Sequence, residues 1–101
     1  MKLVFFNLRE DEKSALESWR NAHPEVEIDV YTEELSSANK HLLEGKQGVV
    51  LAQNKPFESD VYEYAHEQGI KVFATRSAGF DIYDLELMNK YGIKMTNVPS
   101  Y

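Results

Sequence analysis

The chain contains no cysteine. Disulfide frameworks, thiolate metal sites and thiol nucleophiles are therefore excluded. Cations are also few: 11 Lys and Arg stand against 17 Asp and Glu, giving a formal net charge of −6. No stretch gathers several of them on one face, which argues against a nucleic-acid partner. No apolar run approaches the ~20 residues of a membrane-spanning helix, and Leu3-Val4-Phe5-Phe6 is cut by Asn7 too early for a secretion signal. Linkers, low-complexity tracts and matching repeats are missing too. What is expected is a soluble, cytoplasmic protein of one domain, since 101 residues leave no room for two. A hydrophobic content of 43% is enough for a core and speaks against disorder.

The sequence does contain an alternation of short apolar runs with longer amphipathic ones. The runs are Leu3–Phe6, Val26–Tyr31, Gly48–Ala52, Lys71–Thr75 and Gly92–Thr96. Each is rich in β-branched or aromatic residues and bounded by breakers, so each predicts a strand. The first, third and fourth are nearly continuous, as in a parallel sheet covered on both faces. Val26–Tyr31 alternates with Glu27 and Asp29 and is better placed at an edge.

Helical signals lie between the strands. Asp11 and Glu12 open a segment with Ala15, Leu16, Trp19 and Ala22 at helical spacing, stopped by Pro24. Ser36 or Ser37 would cap a short helix carrying Leu42 and Leu43 and closed by Gly45. Ser59 with Asp60 starts a third helix before Gly69, and Asp84 a fourth before Gly92. Trp19 is expected to anchor the core, and of Tyr62 and Tyr64 one should pack while the other faces out. The resulting β-α-β-α-β-α-β-α-β order predicts an α/β fold, a flavodoxin-like parallel five-stranded sheet with helices on both faces and strand order 2-1-3-4-5.

In such a sheet, ligands bind beyond the carboxyl ends of the strands. The segments to inspect are thus Asn7–Glu10, Ala52–Pro56, Arg76–Asp81 and Asn97–Tyr101. The richest is Thr75-Arg76-Ser77-Ala78-Gly79-Phe80-Asp81, which leaves a core strand through small residues. Its backbone N–H groups could approach an anion closely, or Gly79 could simply supply the positive φ of a tight turn. Neither GxGxxG nor GxxxxGK[ST] occurs, so no dinucleotide or Walker-type loop is encoded. His23, His41 and His66 lack carboxylate partners at ligand spacing, and no metal site is expected. Glu10-Asp11-Glu12 reads as a capping or solvated cluster. A stand-alone flavodoxin-like binding or signalling module is the alternative. It lacks support: Leu51-Ala52-Gln53 supplies no phosphoacceptor Asp, and Asn7-Leu8-Arg9-Glu10 is no FMN-phosphate loop.

Two stretches, Thr75-Arg76-Ser77-Ala78-Gly79-Phe80-Asp81-Ile82-Tyr83-Asp84-Leu85 and Tyr91-Gly92-Ile93-Lys94-Met95-Thr96-Asn97-Val98-Pro99-Ser100-Tyr101, closely resemble the D-2-hydroxyacid dehydrogenase family. The likeness extends over the whole chain, including an opening strand followed by Arg9-Glu10-Asp11-Glu12-Lys13. Within the family, the NAD-dependent D-lactate dehydrogenases of lactic-acid and related bacteria look nearest.

The resemblance implies that residues 1–101 are the N-terminal part of a substrate-binding (catalytic) domain, with a hinge, the NAD-binding Rossmann domain and a domain-completing helix beyond them. It implies that the substrate-gripping arginine, the glutamate and the acid–base histidine also lie beyond Tyr101, leaving no catalytic, cofactor or metal residue here. By the same resemblance the amides of Ala78 and Gly79 hold the substrate carboxylate, with Ser77 beside them. Tyr101 lines the pocket, and Ala52 and Gln53 border the substrate side chain. Asp81 and Asp84 take structural roles. The parent enzyme is expected to be a cytoplasmic homodimer acting on a small 2-keto or 2-hydroxy acid with NAD, which this segment alone would not bind.

Overall fold

The computed structural model describes residues 1–53, 55–76 and 82–97. Five strands, β1 (Lys2–Phe5), β2 (Glu27–Val30), β3 (Gly48–Leu51), β4 (Val72–Thr75) and β5 (Lys94–Asn97), pair in parallel in the order β2-β1-β3-β4-β5. The flavodoxin-like order and the edge position of the second strand agree with the sequence reading. Val4, Val49 and Phe73 align across the three central strands, so their side chains share one face of the sheet. Leu3, Gly48 and Val72 precede them in the same registers and share the other.

Three helices connect the strands: α1 (Lys13–Ala22), α2 (Ser59–Glu67) and α3 (Leu85–Lys90). The acids expected to open α1 form a separate 3₁₀ turn, Glu10–Glu12, before it. Asp84 caps α3 as expected, its carboxylate accepting the Leu87 N–H at 3.1 Å. Gly69 and Gly92 follow α2 and α3 with φ of +79° and +68°, the left-handed conformation that ends helices.

One local expectation changes here. The helix expected from Ser36 or Ser37 to Gly45 is only a 3₁₀ turn, Lys40–Leu43. Asn39 accepts the Ser36 N–H and donates to the Glu34 carbonyl, side-chain bonds that compete with a regular helix. α2 starts at Ser59 as expected, with Glu58 as the residue before its first turn. Asp60 in that turn receives the Ser37 hydroxyl and the Lys40 ammonium, which hold its carboxyl below the ordinary range.

The larger core lies between one sheet face and α2, α3 and the Lys40–Leu43 turn, with Phe6, Leu43, Leu51, Tyr62 and Phe73 fully buried. Tyr62 packs as expected, but Tyr64 does not face out: it is half-buried against the same core. On the other face α1 lays Leu16 over Phe5, Ile28 and Val50. Trp19 is not the deep anchor expected. It is half-buried, stacks on His23 at 4.2 Å and lines an apolar groove of about 360 Å³ with Leu3, Gly48, Val50 and Val72. No helix among the described residues is long and apolar enough to cross a membrane.

Candidate functional site

All five strands end at the same edge of the sheet. Leu51 pairs with Thr75 and Thr75 with Asn97, so the chain leaves β3, β4 and β5 at adjacent points. The ends of β3, β4 and β5 therefore lie side by side. Ser77, Ala78, Gly79 and Tyr101, expected at the substrate, lie outside the described residues, as does Asp81.

Ala52 is half-buried at the end of β3, and its carbonyl accepts the Asn7 side-chain amide at 2.7 Å. Asn7 leaves β1 with φ of +55°, which asparagine tolerates better than most residues. That turn sends its own N–H to the Glu33 carbonyl at 2.8 Å. Gln53 is 5% exposed and points inward. Its Oε1 accepts the Leu35 N–H at 2.9 Å, and its Nε2 donates to the carbonyls of Leu35 and Lys55 at 3.0 and 3.2 Å. This amide pairs with the backbone of the loop after β2, so Gln53 shapes the edge through the position of that loop.

Arg76 ends β4, its N–H on the Leu51 carbonyl at 2.9 Å. The side chain is 3% exposed and reaches back over the end of β3 to β1. It donates to the carbonyls of Phe6 and Asn7 at 3.1 and 2.8 Å and to Glu12 Oε1 at 3.0 Å. Its Nε lies 2.7 Å from Glu12 Oε2, an ion-pair contact outside hydrogen-bond geometry. The guanidinium also sits over the Phe5 ring, 5.8 Å from its centroid. Glu12 caps as expected, accepting the Arg9 N–H at 3.0 Å in a capping box, but it is not solvated, because its carboxylate is also held by Arg76.

Beneath this edge the Tyr83 hydroxyl is buried beside Thr75 and the Gln53 backbone, without a well-formed hydrogen bond. Burial pushes its pKa up, and those polar neighbours pull it partly back. Tyr62 is raised for the same reason, its hydroxyl accepting the Asp84 N–H at 2.8 Å.

The Arg76–Glu12 pair was not singled out in the sequence, because 64 residues separate its members. The histidines lie elsewhere. His23 and His66 close α1 and α2 at the opposite, amino edge, where His66 stacks on Tyr91 at 5.2 Å. No described group of His, Asp or Glu could hold a metal ion. Arg76 and Glu12 neutralise each other, and their contacts tie the end of β4 to the turn after β1.

Residues 2–101 match the family model described as D-isomer specific 2-hydroxyacid dehydrogenase, catalytic domain. A D-lactate dehydrogenase from Treponema pallidum (strain Nichols) is 48% identical over 101 residues, covering all of this chain and 30% of that protein. The crystal structure of a D-lactate dehydrogenase from Treponema pallidum superposes with a TM-score of 0.94 at 48% identity, over all of this chain and 30% of that one. The NAD-complexed D-isomer specific 2-hydroxyacid dehydrogenase of Lactobacillus delbrueckii ssp. bulgaricus gives 0.92 at 32% identity, again over all of this chain and 30% of that one. The chain thus spans about 30% of the length of these relatives.

Proposed function

Because the chain belongs to the D-isomer specific 2-hydroxyacid dehydrogenase family, its residues 2–101 matching the catalytic domain, we propose that it is the N-terminal, substrate-holding part of an NAD-dependent D-lactate dehydrogenase. The enzyme would interconvert a small 2-keto acid such as pyruvate and its D-2-hydroxy acid, as a cytoplasmic homodimer. The observation that carries this reading is the convergence of Ala52, Gln53 and the entry to residues 77–81 at one edge of the sheet, where open α/β sheets bind ligands. In this reading the N–H groups of Ala78 and Gly79 hold the substrate carboxylate, with Ser77 beside them. Tyr101 closes the pocket, and Ala52 and Gln53 bound the substrate side chain. A carboxylate fixed by backbone donors orients the keto carbon for attack, which is the contribution a binding domain makes to rate.

The described residues do not fit NAD. The turn after β1 carries Glu10, Asp11 and Glu12, whose charge would repel a pyrophosphate, and the glycine-rich fingerprint is missing. In this reading the cofactor and the acid–base group belong to the rest of the parent enzyme, since this chain spans about 30% of its relatives' length. The apolar groove beside α1 is where the domain-completing helix would lie.

The purified full-length protein should oxidise NADH with pyruvate or a longer 2-keto acid and release the D-hydroxy acid. Calorimetry should find no NADH binding to residues 1–101. A full-length protein inert toward every 2-keto acid, or one yielding the L-product, would overturn the reading.

A further inference from the structure

A buried guanidinium is costly to desolvate, and a buried ion pair is weak support for stability; where one is kept, fixing a particular arrangement is its best-attested use. Arg76 has such an arrangement to fix. It is the last described residue before the 77–81 segment, and its side chain spans from β4 across the end of β3 to the carbonyls of Phe6 and Asn7. Glu12, 12% exposed, holds the guanidinium from the start of α1. Asn7, whose carbonyl Arg76 grips, passes its own amide to the Ala52 carbonyl. Glu12, Arg76, Asn7 and Ala52 thus form one chain of contacts along the carboxyl edge. Two of its members follow β3 and β4 directly and mark the two places where the substrate is expected: Ala52 itself, and Arg76 at the entry to Ser77-Ala78-Gly79.

We propose that Arg76, locked by Glu12, is a positioning residue for substrate binding. It fixes the chain where β4 ends, at the last described residue before Ser77, and through Asn7 it ties that point to Ala52. Three of its donor contacts face inward to protein acceptors, so its effect on the substrate passes through the backbone. The proposal rests on the reading that residues 77–79 hold the substrate carboxylate. Lysine cannot replace the guanidinium here: one ammonium cannot reach two carbonyls and both carboxylate oxygens in that fixed fork.

The test uses the full-length enzyme. In Arg76→Lys the KM for the preferred 2-keto acid should rise tenfold or more, while kcat changes less than about threefold and NADH affinity is unchanged. Glu12→Gln keeps an acceptor for the guanidinium but loses the charge. It should give a smaller KM increase, and the double variant should fall well short of the product of the two. Melting temperature is measured on each sample, because a merely structural brace would lower it without moving KM per folded molecule. If wild type reduces no 2-keto acid, the functional reading fails first. If wild type is active and both folded variants keep its KM, the positioning role alone is overturned. Should Arg76→Lys not fold, Glu12→Gln decides the matter by the same KM criterion.

Discussion

Val72 and Phe73 are neighbours on β4, yet Phe73 is sealed while Val72 remains 39% exposed. The same contrast separates Val49 from Gly48 and Val4 from Leu3. Strand alternation sends each pair to opposite faces, so the difference belongs to the faces and not to the strands. Its source is topology. The β1–α1–β2 connection runs one way along the sheet, whereas every later crossover runs the other way. Right-handed crossovers then put α1 alone on one face and the Lys40–Leu43 turn, α2 and α3 on the other. One face is closed by its own connections, and the other is apolar but only half-roofed. Closure is thus set by the direction of the crossovers, and an apolar strand residue is no proof of burial.

The largest expected effect separates the faces on a single strand. Phe73 touches Phe57 and Tyr62 with ring centroids 6.1 and 6.0 Å apart. Phe73→Ala should cost about 3–5 kcal/mol, enough to leave a marginal domain unfolded. Val72→Ala should cost less than ~0.5 kcal/mol, because its side chain already meets solvent. Urea denaturation of both variants checks this. Equal losses would mean that the groove is closed in solution.

A second, smaller effect is confined to the closed face, where Tyr62 and Tyr83 both lie. Burial raises both phenol pKa values above the ordinary 10.0. The unfolded phenols ionise near pH 10 while the folded ones stay neutral. The stability tied to the neutral phenols is therefore complete below pH 10 and is lost as the pH climbs toward the raised folded values. Each phenol contributes a slope of up to about 1.4 kcal/mol per pH unit. Tyr83→Phe should flatten the alkaline decline measured by urea midpoints between about pH 8 and pH 11. An unchanged slope would show that Tyr83 does not titrate as a buried phenol.

The strand pattern was legible because periodicity and breakers carry it locally. The strand order rests in the sequence only on the edge character of the alternating second strand, since order depends on pairings far apart in the chain. Less legible was whatever depends on partners far away in the chain. Glu12 sits in a run of three acids that looks solvated, and only the fold brings Arg76 to it. Gln53 was expected to border a substrate, and its inward amide depends on a loop 18 residues earlier. Trp19 has the spacing of a core residue on α1, but topology leaves it at the rim of the groove. The loop of Ser77, Ala78 and Gly79 was legible only through family resemblance, since small residues after a strand serve a plain turn equally well.

The smallest expected effect tests how open the half-roofed face is. A Cβ placed on Gly48 would meet Leu3 Cδ2 at 2.8 Å, too close to stand without movement. The obstructing atom is the tip of a flexible side chain, and Leu3 lines the groove. It can therefore swing into the empty volume at little cost. Replacing glycine in a strand interior also restricts the unfolded chain, which favours alanine by roughly 0.5–1 kcal/mol. The two terms oppose each other, so Gly48→Ala in residues 1–101 should change stability by no more than about 0.5 kcal/mol either way. In the full-length enzyme a helix laid over the groove would leave Leu3 nowhere to go, and the same substitution should then cost about 1–3 kcal/mol by overpacking. Parallel urea titrations of the segment and the full-length protein compare the two. A large loss in the segment would mean that Leu3 is already pinned, and an equally small change in both would mean that nothing roofs this face in the longer chain.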